Sequence, residues 1–402
     1  MYRGFKNTFY VFLLILTAAC KVPYNPPPIT AVNNYLVVEG LINISDSTYI
    51  KLSRTVGVMN ASVINPELKA IVTIESNQGG SYPLKELGNG VYAAVPLSLS
   101  AANQYRLRIK TTGGSTYTSD FVQTKVTPPI DSIITDMKPD GIHIGVNAHD
   151  AQNNTRYYRW DYSEAWQFVS YYNSHAVSPG KGIVAVTRTN DIYHCWGYDA
   201  SATILLNSTA SLSQDILLNS PITFVQSSSE KLSIRYSILI RQYALTKDGY
   251  DYWTLLKKNT EQLGSIFDSQ PSASIGNLHN VNNPAEPVIG FISVGTVSQT
   301  RIYLNFADLP KSYINDYLLN TPYNKYTCVL DTIPVVVRDP HTGKVIDFPE
   351  LNYFIQVNPI LLPVDVVIPY NPVDSAGSHS GALPACVDCT LRGTNVKPAF
   401  WH

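Results

Sequence analysis

The stretch Gln104-Tyr105-Arg106-Leu107-Arg108-Ile109-Lys110 sets the reading of the whole chain. Tyr105, Leu107 and Ile109 fall on one side of an extended backbone, while Arg106, Arg108 and Lys110 fall on the other. That is the pattern of a strand with one face on a core and the other in water. Ile142, Ile144 and Val146 repeat it, as do Leu232, Ile234, Tyr236, Ile238 and Ile240, and then Ile302, Leu304 and Phe306. Turn signals separate these runs: Gln78-Gly79-Gly80, Gly88-Asn89-Gly90 and Thr112-Gly113-Gly114. Asn89-Gly90 before Val91-Tyr92 predicts a hairpin, because both residues tolerate φ > 0. Short strands at this spacing predict an immunoglobulin-like β-sandwich over residues 33–125.

Thr127-Pro128-Pro129-Ile130 reads as a linker into a larger β-rich domain, residues 126–402, carrying one or two helices. The clearest helix is predicted over 247–263, with Thr246 as its cap and Gly264 as its stop. Tyr252, Leu255, Leu256 and Leu263 give it an apolar stripe. A shorter helix is expected near Lys311 to Leu319. The composition agrees with a mostly β chain: Tyr is abundant at 27 residues and Met rare at 3. With 402 residues, 45% of them hydrophobic, the chain can build more than one core without metals. Lys plus Arg number 29 against 30 Asp plus Glu, a formal net charge of −1 that argues against a nucleic-acid partner.

The N-terminus carries an address. Arg3 and Lys6 precede an apolar or small run from Phe9 to Ala19, too short to span a bilayer but suited to a signal-peptide core. Leu16-Thr17-Ala18-Ala19-Cys20 resembles a bacterial lipobox, so residues 1–19 are predicted to be removed and Cys20 to carry diacylglycerol and palmitate. The usual pattern places Leu three residues before the Cys, where this chain has Thr17, so plain secretion stays open. Several acyl chains hold a protein at a membrane without a spanning helix. Residues 20–32 hold Pro23, Pro26, Pro27 and Pro28 and read as a stiff tether.

Several phrases together resemble one family. Tyr35-Leu36-Val37-Val38-Glu39-Gly40 follows the tether, Val126-Thr127-Pro128-Pro129-Ile130-Asp131-Ser132-Ile133 joins the halves, and Arg156-Tyr157-Tyr158-Arg159-Trp160 precedes Glu164-Ala165-Trp166. Gly264 to Ser272 and Gly276-Asn277-Leu278 come later, then Cys386-Val387-Asp388-Cys389, Gly393-Thr394-Asn395-Val396-Lys397-Pro398 and Phe400-Trp401. These resemble the lipoprotein family of domain of unknown function 4249 over essentially the whole mature chain. The resemblance implies an outer-membrane lipoprotein, often encoded beside a TonB-dependent receptor in the manner of surface nutrient-binding partners. It brings no established activity and no catalytic residues. Whether the body faces the periplasm or the cell surface stays open.

The remaining chemistry is sparse. Cys195, Cys328, Cys386 and Cys389 are an even set in an exported chain and read as disulfides, with Cys386 and Cys389 each bridging to a distant partner. Cys386-x-x-Cys389 lacks the second ligand pair of a zinc site and the strand and helix of a thioredoxin motif, so no metal and no cofactor are expected. The eight His residues are scattered, and His143 and His149 read as surface residues. No nucleophile elbow, P-loop or Rossmann glycine pattern occurs, so the chain is not read as an enzyme. Asp248, Gly249 and Asp251 fit a helix N-terminus better than a calcium loop. Among the crowded aromatics of residues 157–172, Tyr158, Trp160 and Tyr162 alternate as core of a second sandwich, leaving Tyr171 and Tyr172 as candidate exposed binding aromatics. Asp46-Ser47-Thr48, Asp131-Ser132-Ile133, Asp331-Thr332-Ile333 and Asp374-Ser375-Ala376 resemble a short O-glycosylation acceptor. The functional expectation is an accessory or binding lipoprotein working with a TonB-dependent receptor in uptake. An envelope structural or adhesive module without a transporter is the alternative, and a hidden hydrolase the third.

Overall fold

In a computed structural model, the structure describes residues 34–57, 64–177, 186–261, 276–313, 327–334, 337–339, 341–347, 361–367 and 378–402. The segments expected to be a signal peptide and a tether, with Cys20, lie outside these residues, as do Gly264 and most of the helix expected after Lys311. The protein is mostly β. Among the described residues no helix is long and apolar enough to cross a membrane.

The first body is one large curled sheet. The strand Ser81–Gly88 makes the curl, since its first half pairs with Ile71–Ser76 and its second half with Val91–Ala94. Residues that alternate along the sheet therefore converge on one interior, where Leu36, Ile50, Leu52, Ile74, Leu107 and Ile109 are wholly buried. In the strand Gln104–Lys110, Tyr105, Leu107 and Ile109 point inward while Arg108 and Lys110 meet solvent, and Arg106 pairs with Glu75 at 2.7 Å. Asn89 and Gly90 take φ of 51° and 74°, turning the chain between Ser81–Gly88 and Val91–Ala94 in two residues.

The division at residue 125 leaves out one structural fact. Residues 276–296 return to the first body and close its sheet at both ends. Leu278–Asn280 pairs with Thr116–Ser119, and Ser293–Gly295 runs parallel to Leu36–Asn43. Leu278, Val288, Ile292 and Val294 are buried in the same core. Gly290, at φ +137°, lies so close to the Val38 carbonyl that a Cβ there would collide with it. Strands of three residues carry no readable alternation, which is why this return is invisible along the sequence.

The second body packs two sheets face to face. One holds Ile130–Lys138, Gly141–Asp150 and Asp215–Gln226. The other is built on the long strand Tyr157–Val169, flanked by Arg235–Ala244 on one edge and by His194–Ala200 and Leu205–Ser208 on the other, with Val297–Asn305 beyond Arg235–Ala244. Tyr158 and Trp160 are core, stacked 5.7 Å apart and packed with Ile142, Ile144, Ile238 and Ile240. Their polar atoms are satisfied: the Trp160 indole donates to Gln242 at 2.9 Å and the Tyr158 hydroxyl to Asp215. Leu232 and Phe306 begin or end short 3-10 turns instead of extending the strands predicted around them.

The segment read as a linker is a bonded junction. Thr127 donates through its backbone N–H to the Thr296 hydroxyl at 2.8 Å and through its own hydroxyl to the Thr296 carbonyl at 2.5 Å. The Ala244 amide donates to the Thr127 hydroxyl at 3.0 Å, and the Gln242 side chain to the Pro128 carbonyl at 2.9 Å. Three passages of the chain between the bodies are thereby tied together. Ile292→Ala should lower the unfolding free energy by about 2–5 kcal/mol, the usual cost of emptying a fully buried site. Chemical denaturation reads this, and a cost below about 1 kcal/mol would mean that the return segment is not part of the first core.

Candidate functional site

The helix Lys247–Glu261 starts where Thr246 accepts the Gly249 amide at 3.1 Å, the expected cap. It lies beside the junction of the two bodies, and a cavity opens on each side of it. Tyr252, the buried member of its apolar stripe, borders both. The two cavities differ in chemistry.

The first, of about 650 Å³, has polar walls that include Gln104, Asp120, Asp248 and Asp251. Its charges are already placed. Asp251 pairs with Lys247 at 2.5 Å, Asp120 lies 3.2 Å from His279, and Asp248 sits in the first turn of the helix, where the backbone dipole favours a carboxylate. No group of three or more metal-binding side chains occurs among the described residues.

The second cavity, of about 580 Å³, is a cleft with one wall from each body. Val37, Leu41 and Ile289 line it from the curled sheet, and Val297 and Leu256 from the other side. Tyr49, Tyr243, Trp253 and Phe291 add rings. Arg159 brings the charge. It sits on the outward face of Tyr157–Val169 directly across from Tyr243, and its guanidinium carbon lies 4.3 Å from the Tyr243 ring centre and 4.5 Å from that of Trp253. Such contacts favour a cation that is partly out of water, each by roughly 0.5–2 kcal/mol. One Arg159 nitrogen approaches Asp161 at 3.7 Å, but Asp161 is held more tightly by Arg241 at 2.5 Å. Among the described residues the Arg159 side chain makes no hydrogen bond, and its Nε is buried without a partner.

The neighbouring ionisable groups leave that charge in place. Burial, with Asp161 close by, pushes the Tyr243 phenol up to about 12. Burial also raises the Tyr252 phenol, helped by the charge on Glu39. Both stay neutral near pH 7. Glu39 stands at the exposed rim, 3.6 Å from Lys51.

The residues singled out from the sequence lie elsewhere. Tyr171 is 40% exposed, whereas Tyr172 is half-buried and donates its hydroxyl to the Cys328 carbonyl at 2.9 Å. Neither lines the cleft. Cys195 is bonded to Cys389 and Cys328 to Cys386, closing loops with sequence separations of 194 and 58. His143 pairs with Asp140 at 3.1 Å and His149 with Asp131 at 2.7 Å, both at the surface. Of the glycosylation-like motifs, Ser132 and Thr332 are exposed, Ser47 is half-buried at the cleft, and Ser375 lies outside the described residues. Sequence reasoning missed Tyr49, Arg159, Tyr243 and Trp253. Arg159 does fall inside the phrase Arg156–Trp160, where an outward strand position reads as an ordinary solvated charge.

A family model for a domain of unknown function, DUF4249, matches residues 21–301, more than half of the chain. The protein belongs to the DUF4249 family. The DUF4249 match takes in every residue that lines the cleft and stops before the tail, so both disulfides, which end at Cys386 and Cys389, reach beyond it. It is shorter than the whole-chain resemblance read from the motifs. No curated protein matches the sequence. Among solved structures, a Salmonella alpha-2-macroglobulin mutant aligns at 7% identity and TM-score 0.17, over 89% of this chain and 20% of its own. This chain therefore spans about a fifth of that protein. CBD12 from CALX1.2 aligns at 11% identity and TM-score 0.15, over 67% of this chain and 100% of its own. Likenesses this weak carry no argument.

Cys386→Ser and Cys389→Ser should each lower the unfolding free energy by about 2–5 kcal/mol, since each bridge restrains a long loop of the unfolded chain. Denaturation curves with and without reductant check this, and variants as stable as the parent under oxidising conditions would contradict it.

Proposed function

We propose that this DUF4249 protein is an outer-membrane accessory lipoprotein that binds a small nutrient and works with a TonB-dependent receptor in its uptake. The observation that carries the anchor is the sequence Phe9–Cys20: an apolar run too short to span a bilayer, ending in Ala18-Ala19-Cys20. The Pro-rich residues 20–32 would then hold the body away from the lipid surface. The binding role draws support from the cleft, whose volume and mostly apolar, aromatic lining are those of small-molecule sites. The receptor partner rests on the family resemblance.

Cells fed a clickable palmitate analogue should label the wild-type protein and leave Cys20→Ala unlabelled and released from the membrane. An unlabelled wild type, or a variant that stays membrane-bound, would remove the anchor from this reading. Affinity capture from outer membranes solubilised in mild detergent should recover a TonB-dependent receptor, and repeated capture without one would remove the partner.

A further inference from the structure

We infer that the cleft between the two bodies binds an apolar small molecule ending in a single carboxylate, with Arg159 holding the carboxylate. The inference rests on reading the protein as a binding module and names the ligand class of that site. It is independent of the anchor and the receptor.

Three observations lead to it. The first is the state of Arg159. A guanidinium carries five N–H donors, and this one makes no hydrogen bond among the described residues although four-fifths of its side chain is covered, its exposure being 21%. Covered polar groups are normally satisfied, and where the Nε of Arg235 and of Arg392 is likewise buried without a partner, another nitrogen of the same guanidinium still donates, to His402 and to Glu230. With the Tyr243 and Trp253 rings packed on the guanidinium, its edge remains for a ligand. A planar acceptor with two oxygens fits that edge.

The second is the local charge. Arg159 and Arg241 share one carboxylate, Asp161, and Asp161 is bound at 2.5 Å to Arg241. With Asp161 taken up by Arg241, the charge of Arg159 is left for a monoanion to neutralise. Among the described residues that line the cleft the one carboxylate, Glu39, is at the rim and faces Lys51.

The third is the rest of the wall. Val37, Leu41, Leu256 and Val297 offer surface that only an apolar body would cover with gain, and Tyr49, 57% exposed, stands at the entrance. A wholly neutral apolar ligand would leave Arg159 covered and unsatisfied.

The test uses the full chain in lipid nanodiscs, titrated with 2-naphthoate followed by its own fluorescence, with empty nanodiscs subtracted and 2-naphthamide as the neutral comparison. A charge-assisted hydrogen bond predicts that the acid binds about tenfold or more tighter than the amide. Arg159→Gln should bring the acid down to the affinity of the amide and leave the amide unchanged. Leu256→Trp, which fills the apolar half of the cleft from the helix, should weaken both, so the site is still tested if Arg159→Gln fails to fold. No saturable binding of the acid, equal affinity for the amide, a preference that survives Arg159→Gln, or indifference to Leu256→Trp would each overturn the proposal. Fatty-acid labelling and receptor capture read the anchor and partner, whereas this titration reads the cleft alone, so the two failures cannot be confused.

Discussion

Thr127 and Thr296 bond each other twice, and a third strand joins them through the Ala244 amide. This small knot of backbone and hydroxyl groups, with the Gln242–Pro128 and Ile130–Ser298 bonds beside it, ties the two bodies together. The neighbours of the knot are themselves cleft residues: Val297 follows Thr296, and Tyr243 precedes Ala244. The groups that fix the junction are thus one residue from the groups that shape the cavity. Hydrogen bonds sheltered from water are individually modest, near 1 kcal/mol net, but leaving one of these donors unpaired would cost more than that. The wall of the cleft is therefore held in one arrangement before any ligand arrives, which reduces the ordering that binding must supply.

The body that carries Arg159 shows how its other polar groups are handled. Glu164 is buried, accepts the Tyr236 hydroxyl and lies 2.5 Å from the Lys231 ammonium, which in turn meets Asp199 at 2.9 Å. Asp215 accepts from both Tyr158 and Thr209. In each case a carboxylate removed from water finds hydrogen-bond donors for its oxygens. Arg235, Arg301 and Arg392 also pack on ring faces but each donates a hydrogen bond, whereas among the described residues the Arg159 side chain donates none.

What could be read along the chain depended on whether a residue's role was local. Tyr105, Leu107 and Ile109 declare their strand because one face of it is buried along its length. Asn89-Gly90 declares its hairpin because only a few residues accept both positive φ values, and Thr246 declares a helix start because the cap bond spans three residues. The return of Leu278, Ile292 and Val294 to the first core is non-local, made by strands too short to have a period. The cleft is harder still. Tyr49, Arg159, Tyr243 and Trp253 come from four separate elements, and each has an ordinary explanation where it stands in the sequence. The four cysteines were visible as a set, but which joins which is decided by the sheet edge at Cys195 and the short helix Pro384–Val387 that carries Cys386.

The bond between Cys195 and Cys389 encloses nearly half of the polypeptide in a covalent ring, and the Cys328–Cys386 bond lies inside it. Residues 276–296 belong to that ring although they close the sheet of the first body. A protease that cuts one exposed loop between Cys195 and Cys389 would consequently release nothing. The pieces would stay joined through sulfur, with the closing strands still seated. A nick of that kind alters the covalent chain while leaving the folded particle whole.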